Sequence, residues 1–151
     1  MYAWQPVVAD DFEALHQLRL AAMRPSLEAL GIYDPERSRQ RFAARFIPDA
    51  ARWMLCAGER VGFAAMRQAE GCCLLEHLYV APQYQGRGVG GWALRQLQAE
   101  AAAAGMPIRL NALRDSPSNR FYQHCGFVPT HEEQWDIYYQ WQATDRSVQP
   151  V

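Results

Sequence analysis

Residues 74–99 read LLEHLYVAPQYQGRGVGGWALRQLQA, and the fold of the chain is decided there. The apolar, β-prone run Leu74 to Val80 predicts a buried strand. Pro82 cannot continue it, so Ala81 to Tyr84 is expected to turn. Four glycines then fall within the seven residues Gln85 to Gly91, just before Trp92, Ala93, Leu94 and Leu97 at helical spacing. The glycines therefore stand where a helix begins. A helix N-terminus carries unpaired N–H groups and about half a positive charge. Glycine lets an anion approach those donors, and Arg87 adds a full charge, so the loop points to phosphate.

Two common phosphate loops do not fit. Gly86, Gly88 and Gly91 match the spacing of a dinucleotide fingerprint, but a four-residue turn separates them from their strand. No acid stands about 20 residues on to hold a ribose; Arg109, Leu110 and Asn111 are there instead. A P-loop requires lysine, and every one of the 15 basic residues is arginine. What remains is Gln85-x-x-Gly88-x-Gly90 between a strand and a helix.

Outward from this stretch, Tyr2–Val8 is expected to form a first strand, with Ala9, Asp10 and Asp11 leading into a helix from Phe12 to Met23 that Pro25 ends. A short helical turn around Leu27 and Leu30 closes at Gly31. Asp34 caps a further helix with Pro35 in its first turn, running to Phe46. Arg52–Ala57 and Arg60–Gln68 form a hairpin about Gly58-Glu59, and Glu70-Gly71 turns into the strand Cys72–Val80. After the loop, a helix through the alanine run stops at Gly105. Pro107–Leu113 is the next strand, parallel to the one before the helix. Ser116 is expected to cap a short helix with Pro117 at its first position. Phe127–Pro129 and Gln134–Trp141 are a closing pair of strands across His131 to Glu133.

At 151 residues, half of them hydrophobic, the chain suffices for one domain with a real core. We expect that domain at 1–142 and a polar tail at 143–151. A net charge of -1 argues against a nucleic-acid partner. No apolar run approaches a membrane span and no signal peptide is apparent, which argues for a cytoplasmic protein without a membrane partner. Cys56, Cys72, Cys73 and Cys125 lack metal-ligand spacing, so no metal is expected, and adjacent Cys72 and Cys73 are poorly placed to pair.

Two motifs in order resemble the GCN5-related N-acetyltransferase (GNAT) superfamily. The first is Leu78-Tyr79-Val80 followed by Gln85 to Gly90. The second is 116–127, SPSNRFYQHCGF, similar to the family's N-P-A-x-x-(F/L)-Y-x-x-x-G-F segment. The resemblance covers the C-terminal half and implies a mixed α/β fold. A central, mostly antiparallel sheet of about six or seven strands would splay at two parallel neighbours, flanked by helices.

It further implies acetyl-CoA as cosubstrate and an N-acetyltransferase that transfers acetyl to a primary amine, most simply a small molecule, by direct attack on the thioester. The backbone of Leu78, Tyr79 and Val80 would pair with the pantetheine. Gln85, Gly86, Arg87, Gly88, Val89, Gly90 and Gly91 would hold the pyrophosphate, with Ser116 and Asn119 adding coenzyme contacts. Ser116 stands where relatives often carry asparagine. Tyr122 would protonate the leaving thiolate. Glu76 is the first candidate base for the amine, an ordered water is its rival, and His77 is expected on the opposite face. The acceptor would meet Tyr33, Asp34 and Trp135, with Glu132, Glu133 and Asp136 nearby, a set that suits a cationic amine. A homodimer stays open. A non-catalytic acyl-CoA sensor or interaction module is the alternative, and a nicotinamide oxidoreductase is opposed by the position of the loop.

Overall fold

Seven strands make one mixed sheet in the order β1-β2-β3-β4-β5-β7-β6, with β4 and β5 its one parallel pair. The strands are β1 (Tyr2–Pro6), β2 (Ala51–Cys56), β3 (Glu59–Ala69), β4 (Cys72–Val80), β5 (Ile108–Leu113), β6 (Val128–Glu132) and β7 (Asp136–Trp141). The helices are α1 (Phe12–Ala29), α2 (Pro35–Arg45), α3 (Val89–Ala103) and α4 (Ser118–His124). This is a computed structural model, and it describes residues 1–143; of the expected tail, 144–151 lie outside the described residues. The mixed α/β architecture is the one the resemblance implies.

The chain groups into two compact units, one of Met1–Arg67 with Leu75–Leu94, the other of Gln68–Leu74 with the chain from Arg95 on. The first holds its own apolar cluster, in which Leu15, Phe42, Trp53, Phe63 and Ala65 are buried and Phe12, Leu18, Phe46 and Tyr79 pack around them. Each fully buried large side chain there contributes about 1.5–3 kcal/mol. The Trp53 indole N–H is satisfied by Asp11 Oδ2 at 3.1 Å. β3 passes very close to β4: a Cβ on Gly62 would lie 2.4 Å from the Tyr79 carbonyl oxygen.

In the second unit β5 pairs with β7 along its whole length, from Ile108 opposite Trp141 to Leu113 opposite Asp136. Its parallel register with β4 is short, Cys73 with Ile108 and Leu74 with Arg109. Ile108, Leu110 and Ala112 are buried and alternate with exposed Arg109 and Asn111, so one face of β5 carries the core.

Several boundaries differ from the sequence reading, with β1 ending at Pro6 rather than Val8 and β7 starting at Asp136 rather than Gln134. α1 does not end near Pro25 but runs through it to Ala29, absorbing the second helical turn. Proline removes one helical hydrogen bond, and the segment beyond it is supported by the Arg24–Glu28 pair at 3.0 Å and closed by the Ile32 N–H on the Leu27 carbonyl at 3.0 Å. The β2–β3 turn is Ala57-Gly58, one residue early, with φ of 53° and 83°. Cys56 therefore faces Glu59, and the two-residue turn takes left-handed geometry at both positions. Ser116 does not cap α4 with its side chain; the helix starts at Ser118 after Pro117. β6 is longer than expected and the following turn later, because Arg114 binds the turn's backbone, as described below.

Candidate active site

The loop that follows β4 is built within the first unit. Ala81 N–H donates to the Val61 carbonyl at 2.8 Å, which ends β4 firmly, and Pro82–Tyr84 make a single tight helical turn. Gln85 Nε2 reaches back to the Val80 carbonyl at 3.0 Å. Gly86 and Gly88 then take left-handed φ of 79° and 89°, a region that side chains disfavour. Between them the Arg87 carbonyl accepts from the Tyr2 hydroxyl at 2.8 Å, fastening the loop to β1.

α3 opens at Val89, and its first closing bond runs from Trp92 N–H to the Gly88 carbonyl at 3.0 Å. The amides of Val89, Gly90 and Gly91 precede that bond, so the helix leaves them for an outside acceptor. Its first turn contains no acid. Buried Val89, Ala93, Leu94 and Leu97 hold the helix in place, and Trp92 packs on Tyr2 and Trp4 with ring centroids 5.5 and 5.0 Å apart. The loop itself, Gln85 to Gly88, is exposed. The Arg87 guanidinium lies 5.5 Å from the Tyr84 ring, and among the described residues it has no carboxylate partner. Free amides, a cation and two glycines that keep Cβ atoms away fit a diphosphate.

On β4, Tyr79 turns its ring onto Phe63 at 5.6 Å, so its side chain belongs to the core and its contribution to a ligand is backbone. Glu76 is half-buried and held by Arg67, Nε to Oε1 3.0 Å. His77, expected on the face opposite Glu76, borders the same small cavity as Glu76, together with Phe42, Arg45, Phe46 and Phe63. The Glu76 carboxylate is held by Arg67, while the His77 ring packs on Phe42 and Phe63. The cavity measures about 10 Å³, close to the space one water needs. The His77 imidazole sits edge-on to Phe42 at 5.1 Å and its Nδ1 is buried without a partner. Burial first, then Arg19 and Arg45, push its pKa down to about 3, so it is a neutral ring at physiological pH.

Tyr122 belongs to the second unit, on α4, where it is buried among Phe121, Phe127 and Tyr139 at ring distances of 5.4, 5.6 and 6.3 Å. Asn119, one turn earlier, is committed to the fold. Its amide donates to the Leu113 carbonyl at 2.9 Å and the Ser116 carbonyl at 3.0 Å, while its Oδ1 accepts from Tyr139 at 2.8 Å. Ser116 Oγ also lies 3.3 Å from that amide.

The residues expected to meet the acceptor have other work. Asp34 caps α2, accepting from Arg37 N–H at 3.1 Å. Tyr33 lies beneath the Arg24 guanidinium at 4.7 Å. Around the β6–β7 turn a single arginine organises the acids: Arg114 contacts Glu132 at 2.7 Å, the Glu133 carbonyl at 2.7 Å and the Gln134 carbonyl at 3.2 Å. Its own N–H binds the Trp135 carbonyl at 2.7 Å, leaving the Trp135 side chain partly exposed. Asp136 accepts from Asn111, and Glu133 from Tyr138. The residues sequence reasoning missed are Arg19, Arg45 and the Phe42 cavity. No local signal marks them, because α1 and α2 each read as ordinary amphipathic helices.

The sequence matches the family described as the acetyltransferase (GNAT) domain over residues 49–129. None of the curated proteins compared with the chain matches it. Among solved structures, the chain is similar to a PaiA N-acetyltransferase from Thermoplasma acidophilum in complex with coenzyme A. The identity is 16%, the coverage 95% of this chain and 99% of that one, and the TM-score 0.77. It is similar also to the ribosomal-protein-S18-alanine N-acetyltransferase from Escherichia coli, at 19% identity, 97% and 98% coverage and a TM-score of 0.70. An acetyltransferase from Thermus thermophilus gives 19%, 95%, 97% and 0.70 in the same order. At these identities the structures establish the fold. Among the described residues no helix is long and apolar enough to cross a membrane.

Proposed function

Because the chain belongs to the GNAT acetyltransferase family, we propose that it moves the acetyl group of acetyl-CoA onto a primary amine by direct attack on the thioester. The observation that carries this reading is the glycine loop opening α3, with its uncommitted amides and an arginine that meets no carboxylate among the described residues. The similar Thermoplasma structure, which holds coenzyme A, supports the choice of cosubstrate.

Acetyl-CoA, when bound, supplies an acyl carbon open to attack and a thiolate leaving group. In our assignment the amides from Gly86 to Gly91 bind the pyrophosphate and Arg87 adds charge. The backbone of Leu78 to Val80 pairs with the pantetheine as an added strand. The Val80 carbonyl already serves Gln85 and the Tyr79 carbonyl faces Gly62 of β3, so the Leu78 backbone leads that pairing. Ser116 touches the coenzyme through its hydroxyl; Asn119 contributes by holding α4. Glu76, oriented by Arg67, takes the proton the amine must lose, directly or through one water. The new C–N bond forms as the C–S bond breaks, and the Tyr122 hydroxyl gives its proton to the sulfur. Four free thiols suit a cytoplasmic setting.

Thiol release with a panel of amines, and mass spectrometry of the products, tests the reading. Tyr122→Phe keeps the ring and removes the acid, so turnover should fall by about 10²–10⁴-fold while acetyl-CoA affinity changes less than about tenfold. Glu76→Gln should lower turnover or move the acid limb of the pH–rate profile. Coenzyme binding with no thiol release for any amine would make the protein an acyl-CoA sensor instead.

A further inference from the structure

We infer that the acceptor amine also carries an anionic oxyacid group, a carboxylate or a phosphate, bound by Arg19 and Arg45 beside the His77 cavity. This rests on the acetyl-transfer reading above and gives it a substrate class. The acids that would suit a cationic amine are tied up: Asp34 caps a helix, Glu132 pairs with Arg114, and Asp136 binds Asn111. Of the two arginines, Arg45 lines the cavity and Arg19 packs on the Phe42 ring that also lines it.

Arg19 is half-buried, its guanidinium 5.5 Å from the Phe42 ring and 5.9 Å from the Tyr79 ring. One of its nitrogens donates to Ser38 Oγ at 2.6 Å, while its Nε is buried and has no partner. Arg45 lines the cavity directly. Neither meets a carboxylate among the described residues. The one acid on the cavity, Glu76, is already neutralised by Arg67 at 3.0 Å. Nearby Glu13 and Asp11 are taken by Arg39 and Arg60. His77 adds no counter-charge, and its buried Nδ1 is a second orphan facing the same group of rings. Buried polar atoms without partners are rare in folded proteins and call for a missing partner. The cavity beside the His77 ring has room for one water, while an anion with two or more oxygens outside it offers the Arg45 and Arg19 guanidinium groups the acceptors that their planar forks match. The space of one water is too small for a whole amino acid. The anion therefore sits at the rim, where Arg45 is exposed, and the amine's carbon skeleton lies against Phe46.

Two experiments test the proposal. The first compares thiol release from matched acceptors: an amino acid, its amide, the amine lacking the acid, and an aminoalkyl phosphate. The acid-bearing members should have kcat/KM about 10–100-fold above the amide, and whichever leads names carboxylate or phosphate. Arg45→Gln, an exposed substitution, should raise KM for the acid-bearing member and shrink the preference to within about threefold. Equal or better turnover of the amide or plain amine overturns the inference while leaving acetyl transfer standing. If no amine releases thiol, acetyl transfer fails and the second experiment still decides. Ring resonances of His77 and His16 are followed by NMR during titration with N-acetylamino acids, their amides, and inorganic phosphate. Shifts caused by the anions alone, and lost in Arg45→Gln, support the site. Identical responses to acid and amide, or none, overturn it.

Discussion

A single imidazole couples the candidate site to the stability of the fold. His77 is neutral in the folded chain, its pKa pushed to about 3 by burial and by Arg19 and Arg45, whereas an unfolded histidine titrates near 6.5. Between those values the unfolded chain binds a proton that the folded chain refuses. Stability contributed by this group is therefore complete above about pH 6.5 and is lost as pH falls toward 3. The loss from pH 7.5 to 5 is at most about 2 kcal/mol. Buried His16, also shifted down by desolvation, acts in the same direction. His77→Phe should flatten this acid limb in urea titrations at the two pH values. An unchanged limb would mean that His77 is charged in the native state.

At the scale of elements, the loop and the β3–β4 contact make separate demands on glycine. Gly90 lies inside α3, where glutamate is a better helix former than glycine. Gly90→Glu should thus leave the fold intact while its charge and side chain oppose the pyrophosphate, and calorimetry should show acetyl-CoA affinity down by at least about tenfold. Retained affinity would remove the phosphate from this helix. Gly62 answers to packing: the 2.4 Å approach of its would-be Cβ to the Tyr79 backbone forces two strands apart. Gly62→Ala should cost about 1–3 kcal/mol, by overpacking against a backbone atom that cannot rotate away. Gly71, with open space around it, should cost less despite its φ of 75°. The loop was legible from residue order because glycine, proline and strand-to-helix patterning are local signals. The Gly62 contact was not, since it depends on how β3 meets a strand whose close point lies 17 positions away.

For the whole molecule, a ligand that binds only the folded chain adds to its stability by mass action. Acetyl-CoA at 100 times its Kd should stabilise by about 2.7 kcal/mol, or roughly 5–10 °C in Tm for a chain of this size. Pantetheine, which lacks the pyrophosphate, should give a much smaller shift, and NAD none. An equal shift with pantetheine would move the binding energy away from the glycine loop.

Sequence alone determined the order of strands and helices, the parallel β4–β5 pair and the place of the glycine loop, because each follows from periodicity, chain breaks and the need for a helix between parallel strands. What it left undecided shares one physical cause. Whether Pro25 breaks a helix, whether Asp34 or Glu132 faces a substrate, and whether Glu76 stands free depend on partners supplied by the fold. Asp11 finds Arg60 across 49 positions and Glu132 finds Arg114 across 18. The same long-range pairing leaves Arg19 and Arg45 without an acid among the described residues, and only the tertiary structure could decide that, since the charges present are nearly balanced, 15 basic against 16 acidic.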